Sequence, residues 1–354
     1  MNQKERIEQL FETGILPREE MRALIEERDE ESSEELFAKA RIRKEENFGK
    51  DIYLRGLIEF SSYCRNDCFY CGLRRSNTKA QRYHLSKEDI LTCARQGYAL
   101  GFRTIVLQSG EDLSYSDEEI ADIVRSIKKE MPETAVTLSI GEKTYEQYLL
   151  YYKAGADRYL LRHETADPVH YAKLHPSDLS FENRKRCLYD LKKIGYQVGA
   201  GMMVEAPFQT LDNLVEDLFF LKELQPHMIG TGPFIAHKDT PFKDMPSGGS
   251  ELTIFLLGIL RLMFPKVLLP ATTALGTIDP YGREKGIMAG ANVIMPNLSP
   301  KSVRGKYMLY DGKISTGEEA AESIEKIRKR MEAIGCHVKN VRGDAPGMGP
   351  ENRQ

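Results

Sequence analysis

The chain has 354 residues, 41% of them apolar and 29% charged, which suits a soluble globular protein with a sizeable core and excludes disorder, collagen or a coiled-coil rod as a description of the whole. Its 50 basic and 53 acidic residues leave a net charge of -3, too balanced to supply the basic field that nucleic acid or an anionic membrane surface requires. No run approaches the roughly 18 uninterrupted apolar residues of a membrane span, and the first ten residues are charged, so the protein is expected in the cytoplasm.

The first fifty residues carry helical patterning alone: Glu5 to Thr13, a helix opened by Pro17 and running to Glu26, and a third from Ser32 to Phe48 with Ser33 as its cap. From Leu54 onward, short β-rich runs alternate with amphipathic helical runs, and no Pro/Gly/Ser linker interrupts them. The predicted strands are Leu57 to Ser61, Thr104 to Gln108, Ala135 to Ser139, Arg158 to Leu161, Val198 to Val204, Met228 to Gly232, Leu268 to Thr272 and Asn292 to Pro296. Ser86, Ser180, Thr210 and Ser250 open the helices between them, and Gly101, Gly155, Gly195 and Gly290 each end a helix just before a strand. Repeated strand-helix units of this kind predict a (β/α)8 TIM-type barrel over residues 51–312, with an N-terminal helical extension (1–50). A C-terminal helix, Gly317 to Ile334, and a tail (313–354) are expected to pack on the barrel. Its chemistry should then sit just after the strand C-termini.

Six cysteines are too few for a disulfide scaffold, yet Cys64, Cys68 and Cys71 form a C-x3-C-x2-C triad directly after the first predicted strand. A structural zinc site wants four protein ligands, and no fourth Cys or His lies at compact spacing. Three thiolates suit an iron-sulfur cluster with one iron left open to a ligand; the plain alternative is three unligated core cysteines. Cys93, Cys187 and Cys336 read as small core residues. After the second predicted strand comes Gln108-Ser109-Gly110-Glu111-Asp112, where glycine permits close backbone approach and a carboxylate can accept from an ammonium; alone, the same pair is also an ordinary turn. The strand Arg158 to Leu161 runs into Arg162-His163-Glu164-Thr165, charges that suit a barrel mouth or a surface Arg162–Glu164 pair. Arg184 offers a further charge near the same mouth, and His163 reads as a hydrogen-bonding core residue.

The triad spacing, with aromatic Tyr70 just before the third cysteine, resembles the radical S-adenosylmethionine (SAM) superfamily. The resemblance implies a 4Fe-4S cluster on Cys64, Cys68 and Cys71 that binds SAM at its open iron, and reduction that releases methionine and a 5′-deoxyadenosyl radical. Ser109-Gly110-Glu111 then corresponds to the stretch that receives the SAM amino group. Longer phrases, from Glu59-Phe60-Ser61 through Cys71-Gly72-Leu73-Arg74-Arg75, Tyr159-Leu160-Leu161-Arg162-His163-Glu164-Thr165, Pro270-Ala271-Thr272-Thr273-Ala274-Leu275-Gly276-Thr277 and Gly290-Ala291-Asn292-Val293-Ile294-Met295-Pro296-Asn297, resemble the HydE family of FeFe-hydrogenase maturases. Biotin synthase and methylornithine synthase are more distant likenesses.

That resemblance implies that Glu111 meets the SAM amino end, Glu164 the ribose hydroxyls, Arg184 the carboxylate region, and Tyr307 the adenosine side. The substrate end is implied at Thr137, Arg158, Arg162, Thr272, Thr273 and Tyr310. Paired arginines suit an anionic ligand through planar, charge-assisted hydrogen bonds, whereas the threonines taken alone are ordinary strand formers. The implied activity is maturation of the hydrogenase H-cluster, acting on a small iron-cyanide-carbonyl-cysteine precursor, with other hydrogenase maturases and an electron donor as partners. An amino-acid mutase resembling methylornithine synthase and a non-catalytic iron-sulfur carrier are the rival readings. Two stretches depart from the family. Ser315, Ser323 and Lys326 stand where some members carry three cysteines, so no second C-terminal cluster is expected. Glu205-Ala206-Pro207-Phe208 stands where Gly-Leu-Pro-Gly is expected.

Overall fold

The computed structural model describes residues 1–314 and 321–352. Helices Gln3–Thr13, Arg18–Glu26 and Glu30–Phe48 open the chain. The third begins earlier than expected because Asp29, not Ser33, is its cap: the Asp29 carboxylate accepts from Ser32 N at 2.8 Å, and Asp29 N donates to Ser32 Oγ at 2.9 Å. Ile7, Leu10, Leu24, Leu36 and Ala40 are buried in the same hydrophobic core as the strands. The bridge is helix Ser250–Met263, whose residues from Leu252 onward are all buried. Gly258 permits the close approach, since a Cβ there would lie 2.9 Å from Leu36 Cγ.

The strands are β1 (Asp51–Leu54), β2 (Gly56–Ser61), β3 (Thr104–Ser109), β4 (Ala135–Ser139), β5 (Arg158–Leu160), β6 (Gln197–Ala200), β7 (Met203–Val204), β8 (Met228–Ile229), β9 (Gly232–Pro233), β10 (Val293–Ile294) and β11 (His337–Lys339). Six of them form one parallel sheet in the order β2-β3-β4-β5-β6-β8. Parallel neighbours need a crossover, and a helix supplies it between each successive pair: Lys87–Ala99, Asp117–Glu130, Tyr145–Ala154, Phe181–Ile194 and Leu211–Leu224. Their starts are capped by the side chains of Ser86, Ser116, Thr144, Ser180 and Thr210. Smaller parallel sheets are β10-β1-β11 and β7-β9.

Two strands expected as single runs, Val198 to Val204 and Met228 to Gly232, each divide in two, as β6 with β7 and as β8 with β9. Gly201, at φ +155, turns the first of them where a Cβ would strike the Gly230 carbonyl oxygen at 1.9 Å. The expected strand Leu268 to Thr272 is reduced to single parallel bridges, Met228 with Leu268 and Pro270 with Val293. Pro270 has no N–H to give, so no ladder can run through it. A further parallel bridge joins Leu57 to Asn297. At the C-terminus a helix spans Ile324–Ala333, and β11 returns beside β1. The expected start of that helix at Gly317 lies outside the described residues, as does Ser315. Among the described residues no helix is long and apolar enough to cross a membrane.

Candidate active site

At the C-terminal ends of the parallel strands opens a cavity of about 390 Å³. Its wall includes Cys64, Cys68 and Cys71 from the loop after β2, Ser109 at the end of β3 with Gly110 and Glu111 just after it, Arg162 and Glu164 after β5, and Arg184 from helix Phe181–Ile194. Tyr70, Thr272, Thr273, Tyr307 and Tyr310 complete the expected set on this wall. Ligand pockets of this size and mixed lining are the ordinary form of a small-molecule site.

The cysteine loop is pinned from both sides. Arg65 N donates to the Glu111 carbonyl at 3.0 Å, and Arg65 Nε reaches Glu111 Oε2 at 2.9 Å. Glu111 N lies 3.4 Å from Cys64 Sγ, an amide directed at the sulfur. Gly110 allows this approach, because a Cβ there would stand 2.2 Å from the Tyr63 carbonyl oxygen and 2.7 Å from Cys64 Cβ. Burial pushes all three thiols upward; Cys71, with the charge on Cys64 adding to burial, is pushed up to about 12. Such thiols become thiolates at neutral pH only when a cation takes the proton's place, so the donor set fits an iron-containing group. Among the described residues no three His, Cys, Asp or Glu side chains converge as one metal ion would need. A cubane cluster sets each ligand on a different iron, so its ligands stand apart rather than meeting at one point.

On the same wall, Arg184 Nε meets Glu142 Oε1 at 2.7 Å, and Arg184 Nη1 donates to the Arg162 carbonyl at 3.3 Å. Arg162 Nη2 lies 2.9 Å from Glu164 Oε2, so the two do pair, on the cavity wall. Glu164 holds φ +67, a left-handed conformation that costs a residue with a Cβ about 1–2 kcal/mol. It is kept there by Glu164 N donating to the Gly201 carbonyl at 3.1 Å and Met203 N donating to the Glu164 carbonyl at 3.2 Å. Strain of this kind concentrates at functional sites.

Two expected residues are not brought to the cavity. Arg158 shares a face of its strand with Leu160 and Arg162, but four extended residues place it about 13 Å below Arg162. There its guanidinium is buried, with Nη2 on Asp344 Oδ1 at 2.5 Å and Nη1 on Thr104 Oγ1 at 2.9 Å. Thr137, the register partner of Arg158, is fully buried with its hydroxyl lacking a hydrogen-bond partner, and it is not on the cavity wall. His163 is buried against Phe220, in keeping with a core role, and its Nε2 lies 3.3 Å from Asp217.

Other residues of the site were not anticipated. His175 Nδ1 donates to the Tyr171 carbonyl at 3.0 Å, which leaves Nε2 to accept from the Tyr70 hydroxyl at 3.2 Å. Burial first, and Arg184 second, take the His175 imidazole down to about 3, so it is neutral. Nothing in the spacing of Leu174-His175-Pro176 signals this. Glu142 could have been found, because Gly141-Glu142 repeats after β4 the Gly110-Glu111 pair after β3. Glu142 N donates to Glu111 Oε1 at 2.9 Å, and a Cβ on Gly141 would overlap the Glu111 carboxylate.

Comparison with known proteins bears on this geometry. Residues 58–221 match the Radical SAM superfamily. The chain is 47% identical over 335 residues, 95% of each protein, to the FeFe-hydrogenase maturase subunit HydE of Thermotoga maritima. It is 29% identical to the 3-methylornithine synthase of Methanosarcina acetivorans, over 93% of this chain and 92% of that one. In fold it is similar to a methylornithine synthase structure, with a TM-score of 0.81 at 24% identity over 94% and 97% of the two chains. It is likewise similar to the maturase HydG, with a TM-score of 0.79 at 23% identity over 96% of this chain and 77% of that one.

Proposed function

The chain belongs to the radical SAM superfamily and, within it, to the HydE family of FeFe-hydrogenase maturases, and from that premise we propose that it acts on a small iron-cyanide-carbonyl-cysteine precursor of the H-cluster. It is a radical SAM enzyme, and its family implies a 4Fe-4S cluster and SAM. In the proposed arrangement Cys64, Cys68 and Cys71 hold three irons of the cluster and the fourth iron is left to SAM. When bound, the cluster and SAM supply a one-electron cleavage that yields methionine and a 5′-deoxyadenosyl radical.

The chain's own residues bind, orient and exclude water. Glu111 is held by Arg65 and the Glu142 amide so that its carboxylate faces the cysteine loop, where a SAM ammonium is accommodated. Arg184, paired with Glu142, is proposed for the methionine carboxylate, Glu164 for the ribose hydroxyls, and Tyr70 and Tyr307 for the flanks of the cofactor, with Ser109 and Gly110 forming the backbone edge. Arg162, Thr272, Thr273 and Tyr310 are proposed for the substrate end. An anionic complex suits Arg162, whose planar guanidinium can make two parallel hydrogen bonds. Thr137 and Arg158 would act on the substrate only from beneath the cavity.

The wider expectations belong to the same proposal. The parallel bridges Met228–Leu268, Pro270–Val293 and Leu57–Asn297 continue from one edge of the six-stranded sheet toward the other, which supports a closed (β/α)8 barrel. The division into residues 1–50, 51–312 and 313–354, a cytoplasmic location, other maturases and an electron donor as partners, and the absence of a second cluster go with it. Ser323 stands just before helix Ile324–Ala333 and Lys326 lies within it, and neither is a cluster ligand by its chemistry.

The observation that carries the proposal is the cavity itself, whose wall holds three thiols together with the Arg162 and Arg184 guanidiniums and the hydroxyls of Thr272, Thr273 and Tyr310. Anaerobic reconstitution, reduction with SAM, and assay for 5′-deoxyadenosine tests it. Deoxyadenosine is expected, stimulated by an iron-cyanide-carbonyl-cysteine complex and abolished in Cys68→Ala. Turnover of lysine in place of the iron complex would favour the mutase, whose likeness in sequence spans most of both chains. A bound cluster without SAM cleavage under every substrate would favour the carrier.

A further inference from the structure

A buried ion pair lies on the cavity wall, made by two residues so far given no role. Glu59, in the middle of β2, is 1% exposed, and Lys313 is nearly as buried. Lys313 Nζ donates to Glu59 Oε1 at 2.5 Å and to the Tyr307 carbonyl at 3.0 Å, and it stands 5.0 Å from the centre of the Tyr307 ring. The second Glu59 oxygen accepts from Asn297 Nδ2 at 2.9 Å. Both Glu59 and Lys313 line the cavity. Desolvating two charges offsets most of their attraction, so a buried pair adds little stability over apolar side chains of the same size. What it does provide is direction.

The chain that Lys313 belongs to gives that direction a purpose. Residues 305–314 form neither helix nor strand, yet they contribute Tyr307, Leu309, Tyr310 and Lys313 to the cavity wall. Other ties run along the segment, among them Ile314 N donating to Thr277 Oγ1 at 3.4 Å. The Leu309 carbonyl accepts from Gly72 N at 2.8 Å, next to Cys71, and Asp311 N donates to the Ala236 carbonyl at 3.1 Å. Lys238 N donates to Asp311 Oδ2 at 2.8 Å. Gly72 is small so that the segment can pass, since a Cβ there would lie 2.2 Å from the Met308 carbonyl oxygen. The segment is a strap laid from the cysteine loop across the mouth, and Lys313 fastens its far end to the strand that leads into the cysteine loop.

We propose that the Glu59–Lys313 pair is a latch that holds this strap over the cavity, making both side chains positioning residues for Tyr307 and Tyr310; the link to turnover rests on the cavity being the SAM and substrate site. A lone apolar residue at 313 would pack anywhere along the wall, whereas Lys313 must meet Glu59 and the Tyr307 carbonyl together. That requirement sets where Tyr307 lies. Removing one partner leaves a buried, unpaired charge that drives the strap end outward.

The test uses the full-length reconstituted protein and two variants, Lys313→Met and the neutral pair Glu59→Gln with Lys313→Met. Three quantities are measured: backbone hydrogen exchange across residues 305–314, the equilibrium affinity for SAM, and urea stability. In Lys313→Met the strap amides are expected to exchange on the order of tenfold faster, in proportion to the open population, with SAM affinity falling by a similar factor and helix Ser250–Met263 keeping its protection. The double variant carries no unpaired charge. It is expected to regain wild-type urea stability while keeping fast strap exchange and weak SAM binding, which a merely structural pair would not do. Wild-type exchange across residues 305–314 in the double variant overturns the latch. Fast exchange with unchanged SAM affinity would keep the latch and remove Tyr307 from the cofactor site, so the two failures are distinguishable.

Discussion

Gly110 decides how closely the loop after β3 can lie against the cysteine loop. A methyl group there would meet the Tyr63 carbonyl at 2.2 Å and Cys64 Cβ at 2.7 Å, and neither is the free end of a flexible side chain. Gly110→Ala is expected to cost about 1–3 kcal/mol as an overpacked site, and to lower iron content after reconstitution because Cys64 is displaced. Urea unfolding with iron analysis checks both; full iron at an unchanged midpoint would refute the crowding. Such a residue is legible in sequence only beside the cysteine triad and the family resemblance, since a glycine and a carboxylate after a strand are by themselves also an ordinary turn. Arg162 and Glu164 were legible for a related reason, because charges at the end of an apolar strand must face a polar space. Arg158 obeys the same alternation yet faces the other end of the sheet, which strand parity alone cannot distinguish. His175 and Lys313 carried no signal at all, because what makes them matter is contact across 105 residues to Tyr70 and 254 to Glu59.

Elements show the same division between local and distant causes. Caps and terminal glycines marked the crossover helices well, since Ser86, Ser180 and Thr210 act on amides three residues away. The strand expected at Leu268 to Thr272 shrinks to single bridges at Leu268 and Pro270, because the proline removes an N–H that a continuous ladder would use. The loop after β7 is more telling. Glu205 and Phe208, at the two positions where glycine was expected, hold φ +56 and +65, the conformation in which glycine is at ease. Their side chains give something in return: Glu205 Oε2 accepts from Gly249 N at 2.7 Å at the head of helix Ser250–Met263. Phe208 meets the Phe242 ring edge-on at 6.0 Å, with Lys173 Nζ 5.7 Å from its own ring. Neither lines the cavity, so these two side chains act outside it. Phe208→Gly is therefore expected to leave SAM affinity unchanged and to alter stability by no more than about 1 kcal/mol, backbone relief offsetting the lost ring contacts. A tenfold change in SAM affinity by equilibrium binding would place this loop in the site after all.

Across the whole molecule, the two ends of the sheet are treated oppositely: one opens on the cavity, and the C-terminal tail closes the other. Arg158 Nη2 meets Asp344 Oδ1 at 2.5 Å and the Arg342 carbonyl at 2.9 Å, while Gln197 Nε2 donates to Asp344 Oδ1 at 2.7 Å and to the Met348 carbonyl at 2.9 Å. Arg342 in turn meets Asp157 at 3.0 Å, and Ala345 packs in one cluster with Met228, Leu268 and Val293. Burial alone would raise the Asp344 carboxyl, but the charges of Arg158 and Arg342 and the hydrogen bond from Gln197 hold it down to about 2. Its folded value lies below the unfolded one near 3.8, so its stabilisation is complete above about pH 4 and is lost as pH falls toward 2. Asp344→Asn should flatten the stability profile in that window. Asp344→Ala, which strands a buried guanidinium, is expected to cost about 3–5 kcal/mol by urea unfolding at neutral pH. Arg158→Met then separates the two roles open to this arginine. If it is a fastening for the tail, the urea midpoint falls while the KM for substrate, measured well below that midpoint, stays at the wild-type value. If instead it reaches the substrate from beneath the cavity, the KM rises as it would for Arg162→Met, and the tail would have to be read as part of the site's floor.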